Sequence, residues 1–158
     1  MNIIRLTLLS LIFCMGSMPA DAGLSKESTL SIEASKLAVA GEYQRAIRIY
    51  TQLIQLDPND ADHYIQRGLI YRQVKQKNSA ASDGRIALKL TDYYLQKKPS
   101  KKRRAKHMWR RAMANRLLNK FDIAKRDMRE AIHLKGSQRW LPDLQAIELE
   151  SRIHNSPR

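Results

Sequence analysis

Apolar residues recur along the chain at helical spacing, separated by short polar breaks. Leu30, Ala34 and Leu37 share one helical face, Gly41-Glu42-Tyr43 turns the chain, and Ala46, Ile49, Tyr50 and Leu53 form the i, i+3, i+4, i+7 stripe of a second helix. Asp57-Pro58-Asn59-Asp60 closes that helix, because proline lacks the N–H a helix interior needs and Asn or Asp caps the next helix. No useful length of chain alternates with period two, so the pattern predicts an all-α protein.

The helix pair repeats. Ala34 and Gly68 lie 34 residues apart, and the same offset relates Leu30 to Tyr64, Leu37 to Tyr71, Ala46 to Ala80 and Leu53 to Ala87. From the second copy to the third each offset is 44: Tyr64 to Met108, Gly68 to Ala112, Ala80 to Ala124, Ala87 to Ala131. Ten residues are therefore inserted between Leu88 and His107, while the register on either side is kept.

This arrangement resembles the tetratricopeptide-repeat family, whose 34-residue unit has large, small and large residues on helix A, Ala, aromatic and Ala on helix B, and a closing proline. Leu30, Ala34, Leu37, Ala46, Tyr50 and Pro58 match in the first copy. Tyr64, Gly68, Tyr71, Ala80 and Ala87 match in the second, and Met108, Ala112, Phe121, Ala124, Met128 and Ala131 in the third. The resemblance implies an α-solenoid of antiparallel helix pairs, with repeats at about 27–60, 61–94 and 105–138 and a capping helix at about 140–154. Pro142 suits the first turn of that cap, which should cover Ile123, Met128 and Ile132 of the last B helix.

In proteins of this family the A helices line a concave groove that receives peptides. By register, Gln66, Leu69 and Arg72 would face it from the second copy, and Lys106, Trp109, Arg110, Met113 and Arg116 from the third. One subset of the family grips a peptide's terminal carboxylates with Lys and Asn on the first A helix, Asn on the second, and Lys and Arg on the third. Lys106 and Arg110 match the last pair, Gln66 stands where the second Asn is expected, and Ser31 and Ser35 hold the first two positions. Arg110, so placed, would grip a ligand carboxylate through two parallel hydrogen bonds.

Three departures from the pattern carry expectations. Gly84 replaces the aromatic that should fill the gap between helices, at a helix-propensity cost of about 1 kcal/mol. No proline closes the second copy, so its B helix should run on toward Lys98, with Pro99-Ser100 as a turn and Ser100 as the next N-cap; residues 95–104 then form a protruding basic hairpin. Asn115 stands in for a large residue, and Asn119 takes a turn position where Gly is usual but Asn is tolerated.

Charge adds the strongest functional signal. The 158 residues hold 29 Lys+Arg against 15 Asp+Glu, a net charge of +14. Ten cations and no carboxylate lie within residues 97–116, six of them (Lys97, Lys98, Lys101, Lys102, Arg103 and Arg104) at the hairpin tip. Lys102/Lys106 and Lys106/Arg110 are like-charge i,i+4 pairs, which disfavour a helix unless an anion compensates them. Two classes of partner suit this charge: an acidic protein or peptide in the groove, or nucleic acid or an anionic envelope polymer on the hairpin. The third reading is a structural subunit of an envelope assembly, with the array serving only as a docking surface; the charge itself can also be read as a solvated tip.

One Cys excludes a disulfide scaffold and a cysteine zinc site, and the four His show no metal-binding spacing. No Gly-rich phosphate loop is present, so we expect neither a cofactor nor a metal nor catalysis. The apolar run at residues 6–15, followed by Ala20-Asp21-Ala22, reads as a signal peptide cut after Ala22. It is too short to span a bilayer, and the expected product is a periplasmic or secreted domain of residues 23–158 without a transmembrane segment.

Overall fold

The computed structural model describes residues 25–136 and 138–156; the expected signal peptide and its cut after Ala22 lie outside the described residues. The described residues form α1 (Lys26–Val39), α2 (Tyr43–Leu56), α3 (Ala61–Gln73), α4 (Lys77–Gln96), α5 (Lys101–Leu117), α6 (Phe121–Lys135), a 3₁₀ turn (Gln138–Trp140) and α7 (Leu141–Asn155). They contain no strand, and none of their helices is long and apolar enough to cross a membrane. The architecture is an α-solenoid: α1/α2, α3/α4 and α5/α6 stack as antiparallel pairs, and α7 packs on α6.

The repeat is visible in the backbone as well as in the side chains. Gly41, Lys75 and Asn119, one in each copy, adopt positive φ of 79°, 61° and 57°. In each copy the next amide reaches five residues back, Glu42 to the Leu37 carbonyl, Gln76 to Tyr71 and Lys120 to Asn115, at 2.8–2.9 Å. This left-handed closure satisfies a carbonyl at the end of each A helix. Lys75 has no glycine freedom and no Asx side chain at this turn, so the closing hydrogen bonds hold it there against a steric cost.

Small residues set the helix crossings. Ala34, Ala46, Ala87, Ala112, Ala124 and Ala131 are fully buried. Gly84 leaves no gap for an aromatic to fill. A Cβ there would sit 2.9 Å from the Leu117 Cβ and 3.2 Å from the Ala114 carbonyl oxygen, and a Cβ on Gly68 would meet a Leu117 methyl at 2.6 Å. The two glycines let α5 lie against α3 and α4, with Leu117 seated between them. Gly84→Ala should therefore destabilise the protein by about 1 kcal/mol, because overpacking against backbone (about 1–3 kcal/mol) exceeds the gain in helix propensity (about 1 kcal/mol). Urea unfolding measures this, and a variant as stable as the parent would show that α5 can withdraw at no cost.

The inserted residues extend α4 to Gln96 and begin α5 at Lys101, so the hairpin is two continuous helices joined at residues 97–100. Ser100 is the N-cap through its carbonyl, which accepts from the Arg104 amide at 2.7 Å, while its side chain makes no capping bond. Tyr94 stacks on His107 across the hairpin at 5.1 Å, and Lys97 lies 4.2 Å from the centre of the Tyr93 ring.

Each of the last two repeats is tied internally by a forked ion pair. Arg67 donates through Nε and Nη2 to both oxygens of Asp83 at 3.0 and 2.8 Å, and Arg111 does the same to Asp127 at 2.8 and 2.9 Å. Arg67 and Arg111, like Asp83 and Asp127, are 44 apart; the first copy has Glu33 and Ile49 in their places. Asn115 adds a weaker bond to Asp127 at 3.4 Å, so it substitutes for a large residue by bonding to the buried carboxylate.

Candidate functional site

The A helices α1, α3 and α5 open onto a groove of about 1000 Å³, closed at one end by the 3₁₀ turn. One wall, from α1, carries Ser28, Ser31, Ile32 and Ser35, with Glu27 at its N-terminal end as its one charged residue, and Ser35 Oγ is hydrogen-bonded to the Tyr50 hydroxyl at 2.9 Å. Burial raises the Tyr50 pKa, partly offset by that bond, so the phenol stays protonated. The opposite wall carries Lys102, Arg103, Lys106 and Trp109 from α5, and the end carries Lys135, Arg139 and Trp140. Trp109 and Trp140 stack with centroids 6.2 Å apart and planes 18° apart. Trp109 Nε1 donates to Asp143 at 2.8 Å, and Lys135 Nζ lies 4.8 Å from the Trp140 ring centre. Gln66 joins this groove to a smaller depression of about 370 Å³ that includes Leu69.

An acidic corner interrupts the cationic lining. Arg110 Nε and Nη2 donate to the two oxygens of Asp62 at 2.7 and 2.6 Å, and Nη2 also reaches Asp60 Oδ1 at 3.1 Å. Burial pushes the Asp62 carboxyl up, but hydrogen bonding and charge from Arg110, with Lys106 at 3.6 Å, outweigh it and hold the pKa below the ordinary value. Burial likewise lowers Arg110, and Asp62 with Asp60 more than reverses it. Asp62 is therefore ionised and Arg110 charged throughout the neutral range.

Beside this pair, His63 Nε2 lies 3.1 Å from Glu27 Oε1, and Glu27, Asp60 and His63 each bring one ligand atom within 4.8 Å of the others. Three such groups could hold a cation. Asp60 is already engaged, however, since its Oδ1 also accepts from the Asp62 amide at 2.9 Å as the N-cap of α3.

No protein-family model matches the chain. It is 32% identical over 117 residues to serine/threonine-protein phosphatase 5 of Homo sapiens, covering 74% of this chain and 21% of that protein. The chain thus spans about a fifth of that relative's length. The first TPR domain of human RPAP3 matches with a TM-score of 0.52 and 25% identity, over 82% of this chain and 97% of that one. The first TPR of Spaghetti (RPAP3) bound to the HSP90 peptide SRMEEVD matches with a TM-score of 0.50 and 25% identity, over 79% and 92%. The fold is that of the tetratricopeptide repeats.

Within this tetratricopeptide-repeat fold the residues expected in the groove separate into four groups. Gln66, Lys106 and Trp109 line it and Leu69 lines its extension. Met113 does not: it is 2% exposed and belongs to the core with Met108 and Met128. Arg72 and Arg116 do not either. Both grip Glu150 of α7, at 3.1 and 2.7 Å, and Arg72 also donates to the Arg116 carbonyl at 2.8 Å. They hold the cap in place. Arg110 is the fourth correction: it lies behind Asp60 and Asp62, which line the groove in its place, and those carboxylates fill its fork, leaving no bidentate seat for a ligand.

The basic stretch is similarly divided. Arg104 pairs with Glu130 at 2.8 Å and Arg111 with Asp127, so with Lys106, Arg110 and Arg116 half of its ten cations face internal carboxylates. Lys97, Lys98 and Lys101 remain at the exposed tip, while Lys102 and Arg103 turn into the groove. The sequence reading missed Glu27, Asp60, Asp62, His63, Lys135 and Arg139 as groove residues. The repeat offsets carried a signal for one of them, because Ser28, Asp62 and Lys106 occupy equivalent positions and so line up across the three A helices.

Proposed function

We propose that this domain is a docking adaptor, without catalysis of its own, that receives an acidic segment of a partner protein in the groove. The observation that carries the reading is the stacked Trp109–Trp140 pair, flanked by Lys102, Arg103 and Lys135, which form no ion pair with the described residues. An indole face supplies an apolar anchor, and exposed cations steer an acidic chain toward it and hold it loosely. The RPAP3 domain bound to SRMEEVD supports the reading as a fold analogue that takes a peptide with acidic residues. Export of the adaptor, by cleavage after Ala22, is proposed from residues 1–22 alone.

The test is a tryptophan-fluorescence titration with SRMEEVD and with SRMQQVN, in which the three acidic side chains are replaced by their amides. The acidic peptide should bind at least about tenfold tighter, and Lys102→Gln/Lys106→Gln should remove most of that difference, since tenfold corresponds to about 1.4 kcal/mol. Equal affinity for the two peptides, or none for either, would refute the adaptor reading.

A further inference from the structure

A groove can recognise an acidic peptide by its side chains or by its terminal carboxylate. A terminus is singled out only by a fixed seat, because a mobile ammonium accepts any carboxylate that reaches it. The rigid candidate for such a seat is Arg110, which is 9% exposed and set in place by three hydrogen bonds. Those bonds go to Asp62 and Asp60. Asp62 presents its two oxygens to Nε and Nη2 as an incoming carboxylate would, and it does so from the first turn of α3, where a negative charge is also favoured by the helix dipole. The cations left to a ligand, among them Lys102, Arg103, Lys106 and Lys135, are exposed or joined to a carboxylate only at long range.

Building on the adaptor reading, we infer that Asp62 sets what the groove reads. By filling the Arg110 fork from inside the protein, it leaves the groove to the acidic side chains of a continuous polypeptide and denies a special seat to a free C-terminal carboxylate. The occupant is then an internal acidic stretch, or a loop, of a partner protein. Asp62 is a specificity-determining residue, and Arg110 becomes a ligand-binding group only when Asp62 is removed.

The experiment compares SRMEEVD as the free acid with the same peptide amidated at its C-terminus, on the full chain. The two forms differ by one charge, so the parent should bind them within about threefold of each other, while Asp62→Ala should prefer the free acid by about tenfold or more. Adding Arg110→Met to Asp62→Ala should abolish that preference, an outcome that a merely structural role for Asp62 does not produce. Circular dichroism melting of both variants establishes that they are folded. A parent that already prefers the free acid by tenfold overturns the inference and leaves the adaptor reading standing. A parent that binds neither form overturns both. The comparison of free acid with amide on the parent needs no variant, so the inference stays testable even where a substitution unfolds the chain.

Discussion

Asp127→Ala should destabilise the protein by about 3 kcal/mol or more, one of the largest single-site effects expected here. The carboxylate is 0% exposed and lies between α5 and α6, where it accepts two bonds from Arg111 and one from Asn115. Removing one partner of a buried pair leaves the other charge uncompensated, typically at about 3–5 kcal/mol. Two features moderate this. The Arg111 side chain is 27% exposed, and it already lies 3.6 Å from Asp92, so it can turn toward that carboxylate and toward water. Asp83→Ala removes the equivalent partner of Arg67, whose side chain is only 16% exposed and keeps no carboxylate, only a neutral bond to Thr51 and the Tyr64 and Tyr71 rings at 6.0 and 5.8 Å. Urea unfolding monitored by circular dichroism measures both. A loss below about 1 kcal/mol at Asp127 would mean that the forked pair contributes no more than an exposed surface pair.

These pairs illustrate what the chain discloses before it folds. The solenoid was legible because its positions are constrained by contact: where two helices cross closely only Ala or Gly fits, so Ala34, Gly68 and Ala112 recur at fixed offsets whatever surrounds them. The forked pairs obey the same offsets and could have been read the same way, by carrying Arg67 and Asp83 forward by 44. The groove was harder to read. Its outline followed from the register, which placed Gln66, Lys106 and Trp109 on the correct face. Its charge did not, because a count of cations treats each as free, whereas Arg110 and Asp62 are 48 residues apart and meet only when α3 and α5 pack. A net charge of +14 states the surplus and not its address. Gly84 taught a related lesson, since a small residue in place of an aromatic implied a void, and the neighbouring helix had moved in to fill it.

Ending the chain at Gly136 should have a larger effect than either substitution. Trp140 and Ile147, 7% and 0% exposed, belong to the same apolar core as Ala105, Met113, Phe121 and Ala131, and burying each such side chain contributes about 1.5–3 kcal/mol. Their loss alone removes roughly 3–6 kcal/mol, a large part of the stability of a domain of this size. Glu150 is lost as well, which leaves Arg72 and Arg116, 25% and 14% exposed at their side chains, facing each other without a carboxylate between them. Burial already lowers the Arg72 pKa despite Glu150, so its charged form would be left more poorly solvated still. The cap does not work by covering the whole last B helix: Met128 is buried and Ile132 partly so, but Ile123 remains 38% exposed beneath it. It works through the apolar contacts of Trp140, Leu144 and Ile147 and through polar ties along α7, with Asp143 accepting from Trp109, Glu148 paired with Arg129 and Glu150 with Arg72 and Arg116. The truncated chain should therefore melt at a much lower temperature and over a broader range, with α1 and α2 outlasting α5 and α6, since their core of Ala34, Leu37, Tyr50 and Leu53 does not touch α7. Hydrogen exchange resolved along the sequence would show that order. If melting keeps its midpoint and steepness after truncation, α7 is an appendage and the array is complete at α6.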